Sequence, residues 1–304
     1  MQLIPSEPLR RLLAAAAFAA CVAPAQALDV FVCEPEWGAL VRALAPDAQI
    51  RSATHARQDP HHIEARPSLI AALRRADMAV CTGASLESGW LPMLQQRAGN
   101  PRVQQGAPGM LYAADHVSLI DPRPPGSPFD GDIHTEGNPH VHFDPRRLLE
   151  IAAAVRDAIE AAEPARRDEV RARHAAWAQE LRAHITRWEQ RAAPLRGLPV
   201  VAQHTGQAYL WRWLGIEQVA DLEPKPGMPP TPVHLQRVLE ATRAAPPAVV
   251  VVSSYQDPRA GQWLAQQLHI PLLPLPATVT DEAPTSDLPG FFEHLIDRLL
   301  AVPR

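Results

Sequence analysis

The chain has 304 residues, with 29 Lys and Arg against 33 Asp and Glu, for a net charge of −4. That balance shows no basic patch and argues against nucleic acid as a partner. The length suits two modest domains, and no segment after the first thirty residues is long and apolar enough to cross a membrane.

The chain opens with an export signal. Arg10 and Arg11 supply the positive start, Leu12 to Val22 the apolar core, and Ala25-Gln26-Ala27 the small-x-small cleavage site. Phe18-Ala19-Ala20-Cys21 faintly resembles a lipoprotein cleavage site, which would put a lipid on Cys21, but the first residue of such a tetrad is usually Leu. Soluble export to the periplasm is therefore the expectation. Removal of residues 1–27 leaves 277, with 27 basic and 32 acidic side chains.

In the first half, residues 28–144, short apolar runs alternate with helical stretches. Strands are expected at 29–33, 48–53, 77–81 and 102–104, and helices at 35–45, 67–75 and 87–98. Trp37, Leu40, Val41 and Leu44 show helical spacing. Such alternation predicts βα units and a parallel sheet. Cys33 and Cys81 each end a buried strand, and an oxidising compartment allows them to bridge. Residues 105–137 are rich in Pro and Gly and read as a long flexible loop. Its His116 and His134, with Asp130, Asp132 and Glu136, are expected to form at most a weak, transient metal site.

Asn138–Pro145 reads Asn-Pro-His-Val-His-Phe-Asp-Pro and joins the halves. In an extended stretch His140 and His142 face opposite ways, and Asp144-Pro145 is a helix start. A helical connector covers 145–194, with one helix at 145–161 and a spine from Pro164 to about Ala193, about 45 Å long at 1.5 Å per residue. The second half, 195–304, repeats the pattern, with strands at 198–202, 216–220, 248–252 and 272–275. Its helices are expected through Tyr209–Leu214 and at 232–244, 258–268 and 288–302. The fold class is therefore α/β, two small parallel-sheet lobes joined by one long helix.

Ligands of open parallel sheets gather at the carboxyl ends of the strands. The junctions there hold Gln58-Asp59-Pro60-His61-His62-Ile63, Asn138-Pro139-His140-Val141-His142, Gln203-His204-Thr205 and Thr278-Val279-Thr280-Asp281-Glu282. Three imidazoles and a carboxylate drawn from these loops suit tetrahedral Zn²⁺ in a cleft between the lobes.

Pro60-His61 followed by Arg66-Pro67-Ser68, Asn138-Pro139-His140 with Pro145, and Gln203-His204 before Tyr209 together resemble the signatures of periplasmic substrate-binding proteins of zinc and manganese ABC transporters. The resemblance covers the whole mature chain. It implies that His61, His140 and His204 are metal ligands, with a C-terminal carboxylate as the fourth. Many relatives carry an Asp-Pro-Leu-Gly-like string at that point, whereas Leu275 to Glu282 reads Leu-Pro-Ala-Thr-Val-Thr-Asp-Glu. Asp281 is the expected ligand, with Glu282 and Asp287 as substitutes. This string, Cys33 and Cys81 are similar to a zinc-specific branch with a short His-containing loop. The resemblance implies a non-enzymatic binding protein that captures one Zn²⁺ and delivers it to an ABC-type permease. A periplasmic zinc chaperone is a further candidate partner, and the chain is expected to act as a monomer. The rival readings are a manganese-binding homologue, a surface adhesin and a zinc hydrolase; four protein ligands would leave a hydrolase no site for water.

Overall fold

The computed structural model describes residues 27–123, 132 and 134–303. The stretch read from sequence as an export signal, up to Gln26 and including Cys21, lies outside the described residues, as does Asp130 of the Pro/Gly-rich segment.

The described residues form two four-stranded, all-parallel sheets of identical topology. The first holds β1 (Asp29–Val32), β2 (Gln49–Ser52), β3 (Met78–Cys81) and β4 (Met110–Tyr112) in the order β2-β1-β3-β4. The second holds β5 (Pro199–Ala202), β6 (Glu217–Asp221), β7 (Val249–Ser253) and β8 (Leu272–Leu275) in the order β6-β5-β7-β8. In both, the chain reverses direction across the sheet beside its first strand, which opens a crevice at the carboxyl ends. Val249–Ser253 is buried throughout, as expected for a strand covered on both faces.

In the first lobe the helices are α1 (Pro35–Leu44), α2 (Pro67–Arg75) and α3 (Leu91–Ala98). Each has Pro in its first turn, where the missing N–H costs nothing. The connector consists of α4 (Pro145–Ala162) and α5 (Arg167–Ala192), and the second lobe contains α6 (Ala208–Leu214), α7 (Pro232–Arg243), α8 (Arg259–Leu268) and α9 (Leu288–Leu300). Asp144 caps α4 by accepting the Arg146 N–H at 3.0 Å, as the Asp-Pro pair predicts.

The spine helix α5 has 26 residues, about 39 Å at 1.5 Å per residue. It starts later than expected because Pro164–Arg166 forms a 3₁₀ turn. Its buried stripe of Val170, Leu181, Ile185 and Trp188 packs against α1 of one lobe and α9 of the other. One hydrophobic core thus runs from Trp37 and Leu40 through Val155 and Leu181 to Phe291 and Phe292. Smaller cores cover the outer faces, around Phe31, Leu73 and Leu94 in the first lobe and Val201, Leu239 and Leu264 in the second.

Two expectations need correction. The strand expected at 102–104 is a 3₁₀ turn, Pro101–Val103, held by the Asn100 side chain, which accepts the Arg102 N–H at 3.1 Å. The fourth strand is instead Met110–Tyr112, inside the stretch read as loop, where Leu111 is buried beside β3. Gly109 permits that approach, since a Cβ there would lie 2.6 Å from the Arg102 carbonyl oxygen and 2.9 Å from that of Asp77. Cys33 and Cys81, at the ends of neighbouring strands, form a disulfide with Cα atoms 4.7 Å apart.

Candidate metal centre

Two of the junctions share one local device. Asp59-Pro60-His61 and Asn138-Pro139-His140 are both Asx-Pro-His, and in each the Asx side-chain oxygen accepts two hydrogen bonds from the histidine two residues on. Asp59 Oδ1 accepts the His61 backbone N–H at 3.0 Å and lies 2.8 Å from its Nδ1. Asn138 Oδ1 accepts the His140 N–H at 2.9 Å and lies 2.9 Å from its Nδ1. Proline fixes the middle φ and brings no competing donor, so the turn closes on itself. With Nδ1–H donated to the Asx oxygen, the lone pair of each ring stands on Nε2.

His204 is separated from the end of β5 by one residue, and its Nδ1 lies 2.8 Å from Glu223 Oε2, just past the end of β6. The same oxygen accepts the Gly227 N–H at 2.8 Å, so the carboxylate is itself held. The His204 Nε2 is buried and without a hydrogen-bond partner. Such an atom is costly unless something binds it.

The three rings converge between the lobes. His61, His140 and His204 are each about 95 % buried, at 6 %, 6 % and 5 % exposure, with centroids 5.5 to 5.8 Å apart. One nitrogen from each lies within 4.8 Å of the others. Gly206 keeps the space clear, since a Cβ there would already lie 3.4 Å from His204 Cδ2 and 3.7 Å from His140 Cδ2.

A fourth imidazole stands beside them. His134 Nδ1 lies 2.9 Å from the Ala84 carbonyl oxygen, and its Nε2 is 3.3 Å from His61 Nε2. Two nitrogens on a tetrahedral zinc at about 2.0–2.1 Å are separated by about 3.3 Å. His134 lies outside the compact trio, on the 132–138 stretch whose Asp132 N–H donates to Pro226 O of the second lobe at 2.9 Å. Asp132 lines two clefts, one of about 600 Å³ that reaches His61 and His204 and one of about 320 Å³ that reaches His134 and His140.

Burial and the neighbouring rings hold His140 well below its ordinary pKa and bring His134 down to about 4. Burial pushes His204 the same way, but the Glu223 carboxylate outweighs it and the net shift is upward. At Asp59 burial raises the pKa, yet the bonds from His61 win and hold it below the usual carboxylate range.

The other residues marked from sequence lie elsewhere. His62 is largely exposed, 3.9 Å from Asp132. His142 turns away from the trio and is buried, its Nε2 2.9 Å from Ala277 O. Asp281 and Glu282 are exposed and do not join the cluster, because the turn that bears them folds on itself through the Thr280 N–H to Thr285 O and the Thr285 N–H to Glu282 O. Asp287 caps α9 by accepting the Gly290 N–H. His116 and Glu136 are exposed. The sequence reading passed over the orienting roles of Asp59, Asn138 and Glu223. The repeated Asx-Pro-His was a usable signal for the first two, whereas Glu223 lies 19 residues from its partner and local spacing does not reveal it.

A family model described as periplasmic zinc-uptake complex component A (ZnuA) matches residues 30–302. The zinc-binding lipoprotein AdcA of Streptococcus pneumoniae is 24 % identical over 217 residues, covering 69 % of this chain but 41 % of that protein. The chain therefore spans about two fifths of the length of that relative. Among solved structures, a crystal structure of ZnuA superposes with a TM-score of 0.75 at 18 % identity, covering 91 % of this chain and 100 % of the other. A periplasmic metal-binding protein from Candidatus Liberibacter asiaticus, in a cadmium-bound form, gives 0.72 at 14 % identity, covering 90 % and 98 %. The same protein in a manganese-bound form also gives 0.72 at 14 %, covering 90 % and 98 %. These likenesses establish the fold of two parallel-sheet lobes and a connecting helix. With the family match spanning residues 30–302, the chain belongs to the periplasmic zinc-uptake component A family, whose members are metal-binding components of uptake transporters and not enzymes.

Proposed function

We propose that this chain captures Zn²⁺ in the cleft between its lobes and passes it to an ABC-type permease. The observation that carries the reading is the shared design of the buried rings: each Nδ1 faces an oxygen acceptor, and one nitrogen from each ring lies within 4.8 Å of the others. Imidazole-rich sites suit zinc, whereas carboxylate-rich ones favour manganese. His61, His140 and His204 are the ligands in this reading. For the fourth position the tetrahedral-edge spacing favours His134, and Asp281 takes it only if the 280–285 turn unfolds toward the site. Delivery to the cleft by a periplasmic zinc chaperone and action as a monomer belong to the same proposal, as does soluble export over lipid attachment at Cys21.

The test is metal analysis of the purified mature chain, followed by competition titration with Zn²⁺ and Mn²⁺. One zinc per chain and tighter binding of Zn²⁺ than of Mn²⁺ are expected from an imidazole-rich site. Substituting His140 with Ala should remove most of the affinity. His134→Ala and Asp281→Ala, measured separately, identify the fourth ligand by which one weakens binding. Light scattering reports the oligomeric state. Retention of full zinc affinity by His140→Ala would refute the site assignment.

A further inference from the structure

The 3₁₀ turn Val141–Phe143 sends His142 away from His140, into the seam between the lobes. His142 Nε2–H donates to Ala277 O at 2.9 Å, and its Nδ1 lies 3.1 Å from Glu36 Oε1. That second approach is a close contact not aligned as a hydrogen bond, so the directed ties across the seam are His142 Nε2–H to Ala277 O and the Thr278 hydroxyl to Glu36. The other carboxylate oxygen, Glu36 Oε2, accepts the Thr278 hydroxyl. Glu36 belongs to the first turn of α1 in the first lobe, and Ala277-Thr278 follow β8 in the second. All three side chains are at least nine-tenths buried, Glu36 at 2 %, His142 at 4 % and Thr278 at 8 % exposure. Trp37 meets the His142 ring edge-on at 6.4 Å, and Phe143 and Phe291 flank it.

We infer that Glu36, His142 and Thr278 form a polar clasp between the lobes that sets how long the captured metal stays bound. This rests on the metal-capture reading above, and the three are positioning residues, not ligands. The coupling is short. Only Val141, itself fully buried, separates His142 from His140, so a shift of the clasp displaces the His140 ring from its place in the site. The clasp also anchors the start of the 277–287 turn. A buried polar tie tends to be either whole or broken, because an opened one leaves the Glu36 carboxylate without its partners. A metal-binding protein that must also release its cargo needs such a two-state element away from the ligands.

The test uses the full mature chain loaded with one zinc and challenged with excess chelator, with release followed over time. Thr278→Val and Glu36→Gln are expected to release zinc about tenfold faster or more, the scale seen when groups that orient ligands are lost. Thr278→Ser keeps the hydroxyl and should release at the wild-type rate. The melting temperature of the metal-free protein should fall by a few °C in Thr278→Val, which strips a buried carboxylate of its hydroxyl partner, and stay at the wild-type value in Thr278→Ser. Wild-type release rates in Thr278→Val and Glu36→Gln would overturn the clasp. So would faster release that is not rescued by Thr278→Ser. His140→Ala is the control: if it still binds zinc at wild-type affinity, the capture reading itself has failed, whatever the clasp variants do.

Discussion

Glu223→Gln tests the centre at its most informative point. The side chain keeps its shape, so the Gly227 N–H and the His204 ring can still meet an oxygen, but the negative charge beside His204 is gone. Two effects follow. On the proposed ligand set the ring should become a weaker donor to the metal, and removal of such an orienting carboxylate typically costs about 10–100-fold in metal affinity, or about 1.4–2.8 kcal/mol. The ring also loses the group that holds its pKa up, and burial then leaves it neutral at lower pH. In the native chain His204 has a raised pKa, so on the proposed ligand set protons should compete with the metal for its Nε2 as pH falls toward 6, and affinity should decline. The variant should therefore bind more weakly at pH 8 but lose less between pH 8 and pH 6. Chelator competition at both pH values measures the affinities, and calorimetry in buffers of different ionisation enthalpy counts the protons released. Fewer protons should leave the variant on binding. An unchanged affinity together with an unchanged pH slope would show that Glu223 does not orient a ligand.

Asn138→Ala removes the acceptor for both the His140 N–H and its Nδ1, together with the donor to Thr205 O, so zinc affinity should fall about 10–100-fold in the same competition assay. Glu34 and Glu87 are buried side by side, and burial pushes Glu87 up to about 7 and Glu34 well above the usual carboxylate range. Because these pKa values are raised in the fold, their protonated forms cost nothing below the unfolded value of about 4.5, and stability is lost as pH climbs through about 7. Glu87→Gln should consequently raise the melting temperature at pH 8 by a few °C relative to wild type and change it little at pH 4.5, as seen by thermal unfolding. Phe292 is fully buried, with ring centroids 5.4 Å from Trp188 and 5.7 Å from Trp213. Phe292→Ala should cost about 3–5 kcal/mol in denaturant unfolding, because it opens a cavity where the spine meets the second lobe.

Helix and strand positions were legible wherever an apolar period met clear punctuation. Pro35, Pro67, Pro145 and Pro232 each stand at a helix start, and Val249–Val252 is a strand by composition alone. The misplaced fourth strand shows the limit. Arg102-Val103-Gln104 and Met110-Leu111-Tyr112 look equally able to extend, and the choice falls on the run that Gly109 lets approach Asp77 and Arg102. That approach is a contact between distant residues and has no local trace.

The sequence alone determined the α/β alternation, the two-lobe division and the three junction histidines, because periodicity, turn residues and strand ends are properties of near neighbours along the chain. Only the tertiary structure decided that Glu223 rather than an adjacent residue orients His204, that His134 stands beside His61, that His142 joins the lobes, and that Asp281 lies exposed in its own turn. Those outcomes depend on how two sheets and a spine helix pack around one shared core, and packing brings together residues whose separation along the chain says nothing of their distance in space.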